Sequence, residues 1–474
     1  MTIRRTKIIA TIGPRSRDAN TLKSLIEAGV DLVRLNFAHD TFESHRETAQ
    51  RVRALAEEAG RVIGVLVDLP GPKMRTGPIA GDEAELQAGG RFVLTGEEIQ
   101  GDSDHVGTTV EGLAQMASKG DEIFLADGEI VLRVEAIDNQ DVVTEIVRGG
   151  VLRPRKGMHL PSSEANVEAF TPEDERALEL AVELGADLVG LSFVRDARDI
   201  QRARSAMPAL DHPPLIVAKI ETASGVANLG EILPEADVVM VARGDLGIQT
   251  PLRRVPLIQK DIIRTCNEWG KPVITATQML ESMTDAPLPT RAEVADVANA
   301  VLDGTDALML SEETAIGRDP AGVVRTMSDI AESAEANLPR EPRAVTQAAR
   351  ADRVSWAVAR AAVRASEALE VLAILCPTRS GSTPRRVATS RPSMPIIAFS
   401  SNLRALGPLG LVWGVVPIHL ADTPISYESR EAVERLTVAA KRSGLCRAGE
   451  LVAVVAGSAG PRAGSTDFVR IVRV

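Results

Sequence analysis

The chain has 474 residues, 44% hydrophobic and 25% charged, with aromatics at only 3%; this is the make-up of folded domains with an aliphatic core, and it excludes a disordered chain. Lys and Arg number 54 against 65 Asp and Glu, a net charge of −11, which excludes a broad nucleic-acid surface but leaves room for a local basic pocket. No apolar run approaches the roughly 18 residues of a membrane helix, and the three cysteines (Cys266, Cys376, Cys446) include no CxxC pair. Neither a disulfide framework nor a zinc site is indicated, so a reduced, cytoplasmic protein without a membrane partner is expected.

The chain opens on MTIRRTKIIATIGP, basic and then apolar, with an apolar part too short for a secretory signal. Nearly continuous β-branched runs then recur at 7–13, 30–38, 62–70, 186–194, 214–221, 236–245, 271–277 and 305–313. Such runs read as parallel strands buried on both faces. Helical patterns lie between them, as at 18–29, 171–185 and 290–304, each beginning at Asp or Thr and ending at Gly. A doubly wound open sheet shows the same alternation, but eight strand–helix units favour a (β/α)8 TIM barrel. Its active site would lie at the C-terminal ends of the strands.

About a hundred residues separate the third run from the helix at 171, too many for a structureless loop. They contain RFVLTGE, DEIFLADGEIVLRVEAI and QDVVTEIVRGG, alternating runs broken by Gly and Asp. Residues 72–160 are therefore expected to form an inserted small β-barrel lid domain over the mouth of a catalytic barrel made of 1–71 and 161–340. The polar stretch LPREPRAVTQAARAD reads as a linker. A helix at 353–369 and strands at 371–376 and 395–399 then open a C-terminal α/β domain, 341–474.

The polar residues that can do chemistry cluster at strand ends. In LIVAKIET, Lys219 and Glu221 are two apart and share a face, and the next strand ends in Gly244 and Asp245. Two carboxylates on adjacent strand ends, with no His or Cys nearby, suit Mg2+ or Mn2+. A lysine beside them suits stabilisation of a transferring phosphoryl group or an enolate. The plainer alternative is a salt bridge from Lys219 to Glu221 or Asp245. Arg34 and Asn36 end the second run, followed by His39, and Asp68, Lys73 and Arg75 surround the PGP that launches the lid. An arginine in a buried strand needs an anionic partner, either a substrate phosphate or a structural carboxylate. Thr275 and Thr277 share a face of the seventh run, and Ser311 and Glu313 end the eighth, where a supporting role fits best.

In the last domain, Thr378, Arg379, Ser380, Gly381, Ser382 and Thr383 lie between a strand and a helix, followed by Arg385 and Arg386. Ordinary helix capping explains part of this. The abundance of hydroxyls and cations points further, to an anion-binding regulatory loop.

Together RRTKIIATIGP, RLNFAH, GPKMRTG, VARGDLG, KPVITATQMLESM, PTRAEVADVANAVLDGTDALMLSEETAIG, TRSGSTPRRVA and RPSMPIIA give a chain that resembles the pyruvate kinase family nearly end to end. The resemblance implies the same three-part architecture, cytoplasmic localisation, a usual homotetramer, and transfer of phosphate from phosphoenolpyruvate to ADP. It implies that Glu221 and Asp245 hold the divalent metal and that Lys219 stabilises the phosphoryl group and the enolate. Arg34, the backbone of Ala242, Arg243 and Gly244, and Asp245 would bind substrate, with Thr277 on the carboxylate side. Asn36, His39, Arg75 and Lys156 would face the nucleotide, and the loop from Thr378 to Thr383 would take a sugar-phosphate effector. A metal-dependent lyase acting on pyruvate enolate is the competing activity on such a barrel. Members that require K+ hold it with oxygens of an Asn, a Ser, an Asp and a Thr, with a glutamate close by. Here Asn36 and Asp68 match, but Ala38, Leu69 and Lys73 occupy the other three positions. Lys73 is therefore expected to substitute for the monovalent cation, so that K+ is not required.

Overall fold

The computed structural model describes residues 3–72, 74–110, 112–126, 128–161, 168–338, 352–421, 429–457 and 465–474. Lys73 and most of the expected linker lie outside them.

Eight strands close into a barrel: β1 (Lys7–Thr11), β2 (Leu32–Asn36), β3 (Gly64–Asp68), β4 (Leu188–Leu191), β5 (Leu215–Ile220), β6 (Val238–Ala242), β7 (Val273–Ala276) and β8 (Ala307–Leu310). Each is parallel to its neighbours in sequence order, and β8 pairs back onto β1 through Lys7 and Ala307. All eight expected runs contain one of these strands. They are legible because a parallel strand covered on both faces must be apolar on both. Ile9, Leu32, Leu66, Leu188, Val217 and Ile274 fill the interior. Alternate residues such as Ile8, Val33, Val65 and Val189 pack outward against helices.

The helix boundaries follow their caps. Asp18 accepts from Asn20 and Thr21 to start Ala19–Glu27. Thr171 and Asp174 form a capping box ahead of Pro172–Leu184, which ends at Gly185 with φ 80°. Thr290 and Glu293 do the same for Arg291–Asp303.

The segment after β3 forms a seven-stranded sheet in the order Met74–Arg75, Gly157–His159, Glu122–Leu125, Ile130–Asp138, Asp141–Arg148, Arg91–Thr95 and His105–Gly107. Its edges meet through a Thr76–Thr108 bridge and a hydrogen bond from Gly77 N to the Gly107 carbonyl, 2.7 Å, so the sheet curls shut. Phe92, Leu94, Ile123, Leu132 and Val142 form its core.

The C-terminal sheet has five strands: β9 (Ala373–Pro377), β10 (Ile396–Ser400), β11 (Val415–His419), β12 (Leu451–Ala456) and β13 (Phe468–Arg473). Their order is β11-β10-β9-β12-β13, and only the edge strand β13 is antiparallel. This sheet docks on the N-terminal end of the barrel. Lys7 Nζ donates to the Val415 carbonyl at 2.6 Å, Arg391 donates to the Gly304 carbonyl at 2.8 Å, and Leu411 plugs the barrel interior. The opposite end of the barrel stays open beneath the inserted sheet. Among the described residues no helix is long and apolar enough to cross a membrane.

Candidate active site

A cleft of about 390 Å³ lies at the C-terminal strand ends, walled by barrel residues Arg34, Asn36, His39, Asp68, Lys219 and Asp245 and by Arg75, Lys156 and His159 of the inserted sheet. Of the expected phosphate, metal and nucleotide residues, Arg34, Asn36, His39, Arg75, Lys156, Lys219 and Asp245 line this one space.

Asp68 is its charged hub. Arg34 grips Asp68 Oδ2 through Nε at 2.9 Å and Nη2 at 2.6 Å, and its Nη1 donates to Thr11 Oγ1 at 3.1 Å. Lys219 Nζ lies 3.3 Å from Asp68 Oδ1 and 3.6 Å from Glu221 Oε2, and donates to Ser192 Oγ at 2.7 Å. The ion pairs weighed as an alternative are thus present, and they aim both cations at the mouth. Burial pulls the Lys219 pKa down, but attraction to Asp68 and Glu221 outweighs it and leaves the ammonium held above its usual range.

Glu221 is fully buried just behind the cleft wall. Burial pushes its carboxyl up to about 7; Lys219 opposes that rise and Asp245 adds to it. The Phe193 amide donates to Oε1 at 2.7 Å, while Oε2 has no hydrogen-bond partner among the described residues. An orphaned, desolvated carboxylate oxygen raised in pKa by a second carboxylate fits a hard divalent cation. Among the described residues no group of three or more His, Cys, Asp or Glu is placed to hold a metal. A cation here would thus take two protein carboxylates and complete its shell with water and substrate oxygens. Strain fixes this corner. Phe193 sits at φ 54°, and a side chain on Gly71 (φ 68°) would meet Ser192 Cβ at 2.7 Å.

At the end of β7, Thr277 (φ 70°) donates its hydroxyl to the Ala276 carbonyl at 2.6 Å and accepts from Gly244 N at 2.8 Å. It thereby pins the Ala242–Gly244 backbone beside Asp245. The Arg243 side chain turns away: its guanidinium binds Asp296 Oδ2 at 2.6 Å and the Thr277 carbonyl at 2.6 Å. Only its main chain remains for a substrate. Thr275 is buried and donates to Thr305 Oγ1. Glu313 accepts from Leu280 N and Ser311 N, the supporting position expected of it.

Asn36, His39, Arg75 and Lys156 all face the cleft, with Asn36 Oδ1 accepting from Ala38 N at 3.2 Å. Ser192, Phe193, His159 and Glu312 also line it; the sequence reading missed them. Ser192 and Phe193 were detectable as the polar turn closing the fourth run, whereas nothing local marks His159.

The residues of the expected anion-binding loop sit in the C-terminal domain. Thr378 Oγ1 accepts from Gly381 N, Ser380 Oγ donates to Ser382 Oγ at 3.2 Å, and Thr383 pairs with Thr466 at 2.9 Å. Arg385 donates to the Gly381 and Ser380 carbonyls, Arg386 binds Asp352, and Arg379 is exposed.

A parallel barrel with a β insertion over a mouth of carboxylates, lysine and arginine defines an α/β-barrel protein whose charged cleft suits an anionic ligand. Comparison with known proteins sharpens this. The family described as pyruvate kinase, barrel domain, matches residues 3–324, and pyruvate kinase, alpha/beta domain, matches residues 356–472. A pyruvate kinase of Thermococcus litoralis is 43% identical over 418 residues, covering 87% of this chain and 88% of the relative. One from Geobacillus stearothermophilus is 42% identical over 478 residues, covering 99% and 80%. One from Mycobacterium tuberculosis is 38% identical over 476 residues, covering 99% and 98%. The chain belongs to the pyruvate kinase family and is a phosphotransferase.

Proposed function

We propose that the cleft carries the phosphoryl group of phosphoenolpyruvate to ADP, giving pyruvate and ATP. The observation that carries this is Lys219, held protonated between Asp68 and Glu221 beside an orphaned carboxylate oxygen. A divalent cation, Mg2+ or Mn2+, held by Glu221 and Asp245 would neutralise charge on the phosphate and enolate oxygens. Arg34, with the backbone around Ala242–Gly244, would hold the phosphate. Lys219 stabilises charge on the phosphoryl group as its bond to the enol oxygen breaks and its bond to the terminal ADP oxygen forms. The enolate then takes a proton at carbon to give pyruvate, with Thr277 on the carboxylate side supporting that protonation. Asn36, His39, Arg75 and Lys156 receive ADP.

On this reading residues 1–71 and 161–340 are the catalytic barrel, 72–160 the lid and 341–474 a regulatory domain, in a cytoplasmic homotetramer that needs no K+. A sugar phosphate binding at Thr378, Arg379, Ser380, Gly381, Ser382 and Thr383 would activate it. Replacing Ser380 and Ser382 with Glu should abolish such activation. A wild-type saturation curve that no sugar phosphate shifts would reduce the loop to a helix cap.

The test is a coupled assay with phosphoenolpyruvate, Mg2+ and ADP. Pyruvate should form only when ADP is present, in step with ATP. Pyruvate release without ADP would favour the lyase and overturn the proposal.

A further inference from the structure

The ends of three neighbouring strands meet at the cleft wall. Ser192 follows β4, between Leu69 just after β3 and Lys219 near the end of β5. Its hydroxyl accepts from Lys219 Nζ at 2.7 Å and donates its own hydrogen to the Leu69 carbonyl at 3.0 Å. Among the described residues this is the one hydrogen bond that Lys219 Nζ makes; Asp68 Oδ1 at 3.3 Å and Glu221 Oε2 at 3.6 Å draw it as charges. Attraction between charges depends on distance alone, whereas a hydrogen bond weakens steeply as its angle closes. Ser192 is itself held in place. It is 1% exposed, a Cβ on Gly71 would come within 2.7 Å of its own Cβ, and the amide of the next residue is anchored on Glu221 Oε1 at 2.7 Å.

We infer that Ser192 is a positioning residue for phosphoryl transfer, the group that aims the Lys219 ammonium. Its hydrogen is committed to Leu69, so the hydroxyl presents a lone pair to Nζ and offers no donor there. With the Cε–Nζ bond and one N–H direction fixed, the other two N–H directions of the ammonium are set as well. A long flexible lysine stem needs such a stop, because electrostatic stabilisation depends on a group already oriented toward the charge that develops. This rests on the reading of Lys219 as the group that stabilises the transferring phosphoryl.

The experiment is steady-state kinetics of the full-length protein with phosphoenolpyruvate, Mg2+ and ADP, on Ser192→Ala, Lys219→Met and the double variant. Ser192→Ala keeps the ammonium and removes its stop. Turnover should fall by about 10–100-fold, the scale of a misplaced catalytic group, while the KM for phosphoenolpyruvate moves by less than about threefold. In the Lys219→Met background Ser192→Ala should cause no further loss, because no ammonium is left to aim. Where Ser192→Ala fails to fold, Ser192→Cys takes its place in the same cycle, since its sulfur fills the site but accepts only weakly. A Ser192→Ala turnover within about threefold of wild type while Lys219→Met falls, or an equal loss with and without Lys219, would overturn the role of Ser192 and leave the Lys219 reading standing. A Lys219→Met turnover within about threefold of wild type would overturn that reading and this inference with it.

Discussion

Lys219 Nζ lies 3.3 Å from Asp68 Oδ1 although β5 and β3, the strands that carry them, are separated by β4. The contact spans the barrel mouth, so the ammonium is aimed by residues far apart in sequence. Arg34 holds the other Asp68 oxygen, and the carboxylate thereby orients both cations of the phosphate site. Lys219→Met removes the charge and keeps both metal carboxylates. Turnover should fall by about 10²–10³, or roughly 2.7–4 kcal/mol, with a much smaller change in phosphoenolpyruvate binding. Steady-state kinetics decides it: turnover within about threefold of wild type would rule Lys219 out as the phosphoryl-stabilising group.

The raised carboxyl of Glu221 gives a pH dependence. Its folded pKa of about 7 stands above the ordinary 4.5, so between those values the folded state holds a proton that the unfolded chain has lost. Without metal, the Glu221 contribution to stability therefore declines as pH rises through that window. A cation needs the carboxylate and must displace the proton, so its affinity rises with pH up to about 7 and then levels. The gain in Tm on adding Mg2+ should be larger at pH 8 than at pH 6. An equal or larger gain at pH 6 would show that Glu221 does not titrate in step with metal binding.

These electrostatics were only partly legible in the sequence. Strand runs, caps and the shared face of Lys219 and Glu221 are local patterns, set by periods of two and 3.6 residues, and they were readable. The salt bridges of Lys219 were weighed only toward Glu221 and Asp245; its partner Asp68 comes from two strands away, a neighbourhood only the closed barrel creates. The sequence assigns only the backbone of Arg243 to the substrate and says nothing of its side chain, which the fold delivers to Asp296 and the Thr277 carbonyl. His159 carries no local signal because its partner Asp245 is brought near only by the docking of the insertion on the barrel.

The Arg243 brace makes a prediction of its own. Its guanidinium ties the left-handed turn at Thr277 and Gln278 to Asp296 of the following helix. Arg243→Gln should lower stability by roughly 1.5–3 kcal/mol, the usual range for hydrogen bonds to a charged group. It should also lower turnover, because Thr277 fixes the Gly244 amide. Urea unfolding measures the first effect, and an unchanged midpoint would mean that the turn stands without its brace.

The last prediction concerns the monovalent cation. Ala38 has no hydroxyl to offer, and Leu69 supplies no side-chain oxygen. Its carbonyl already accepts from Ser192 Oγ at 3.0 Å, and Asp68 is flanked by Arg34 and Lys219. These features fit the proposal that protein cations take the place of a bound ion; Lys73, which that proposal adds to the set, lies outside the described residues. A lysine ammonium and K+ carry the same charge, so no electrostatic contribution is lost by the exchange. Activity should stay near its full value when K+ is replaced by tetramethylammonium, an ion too large for an oxygen cage. Lys73→Glu should impair activity, and K+ should restore only part of it because Ala38 lacks the hydroxyl. If Lys73 instead serves only as an ion-pair partner for Asp68, replacing it would leave the ion requirement unchanged. A wild-type rate that collapses without K+ would show that the oxygens of Asn36, Asp68 and the Leu69 main chain still form a working monovalent site.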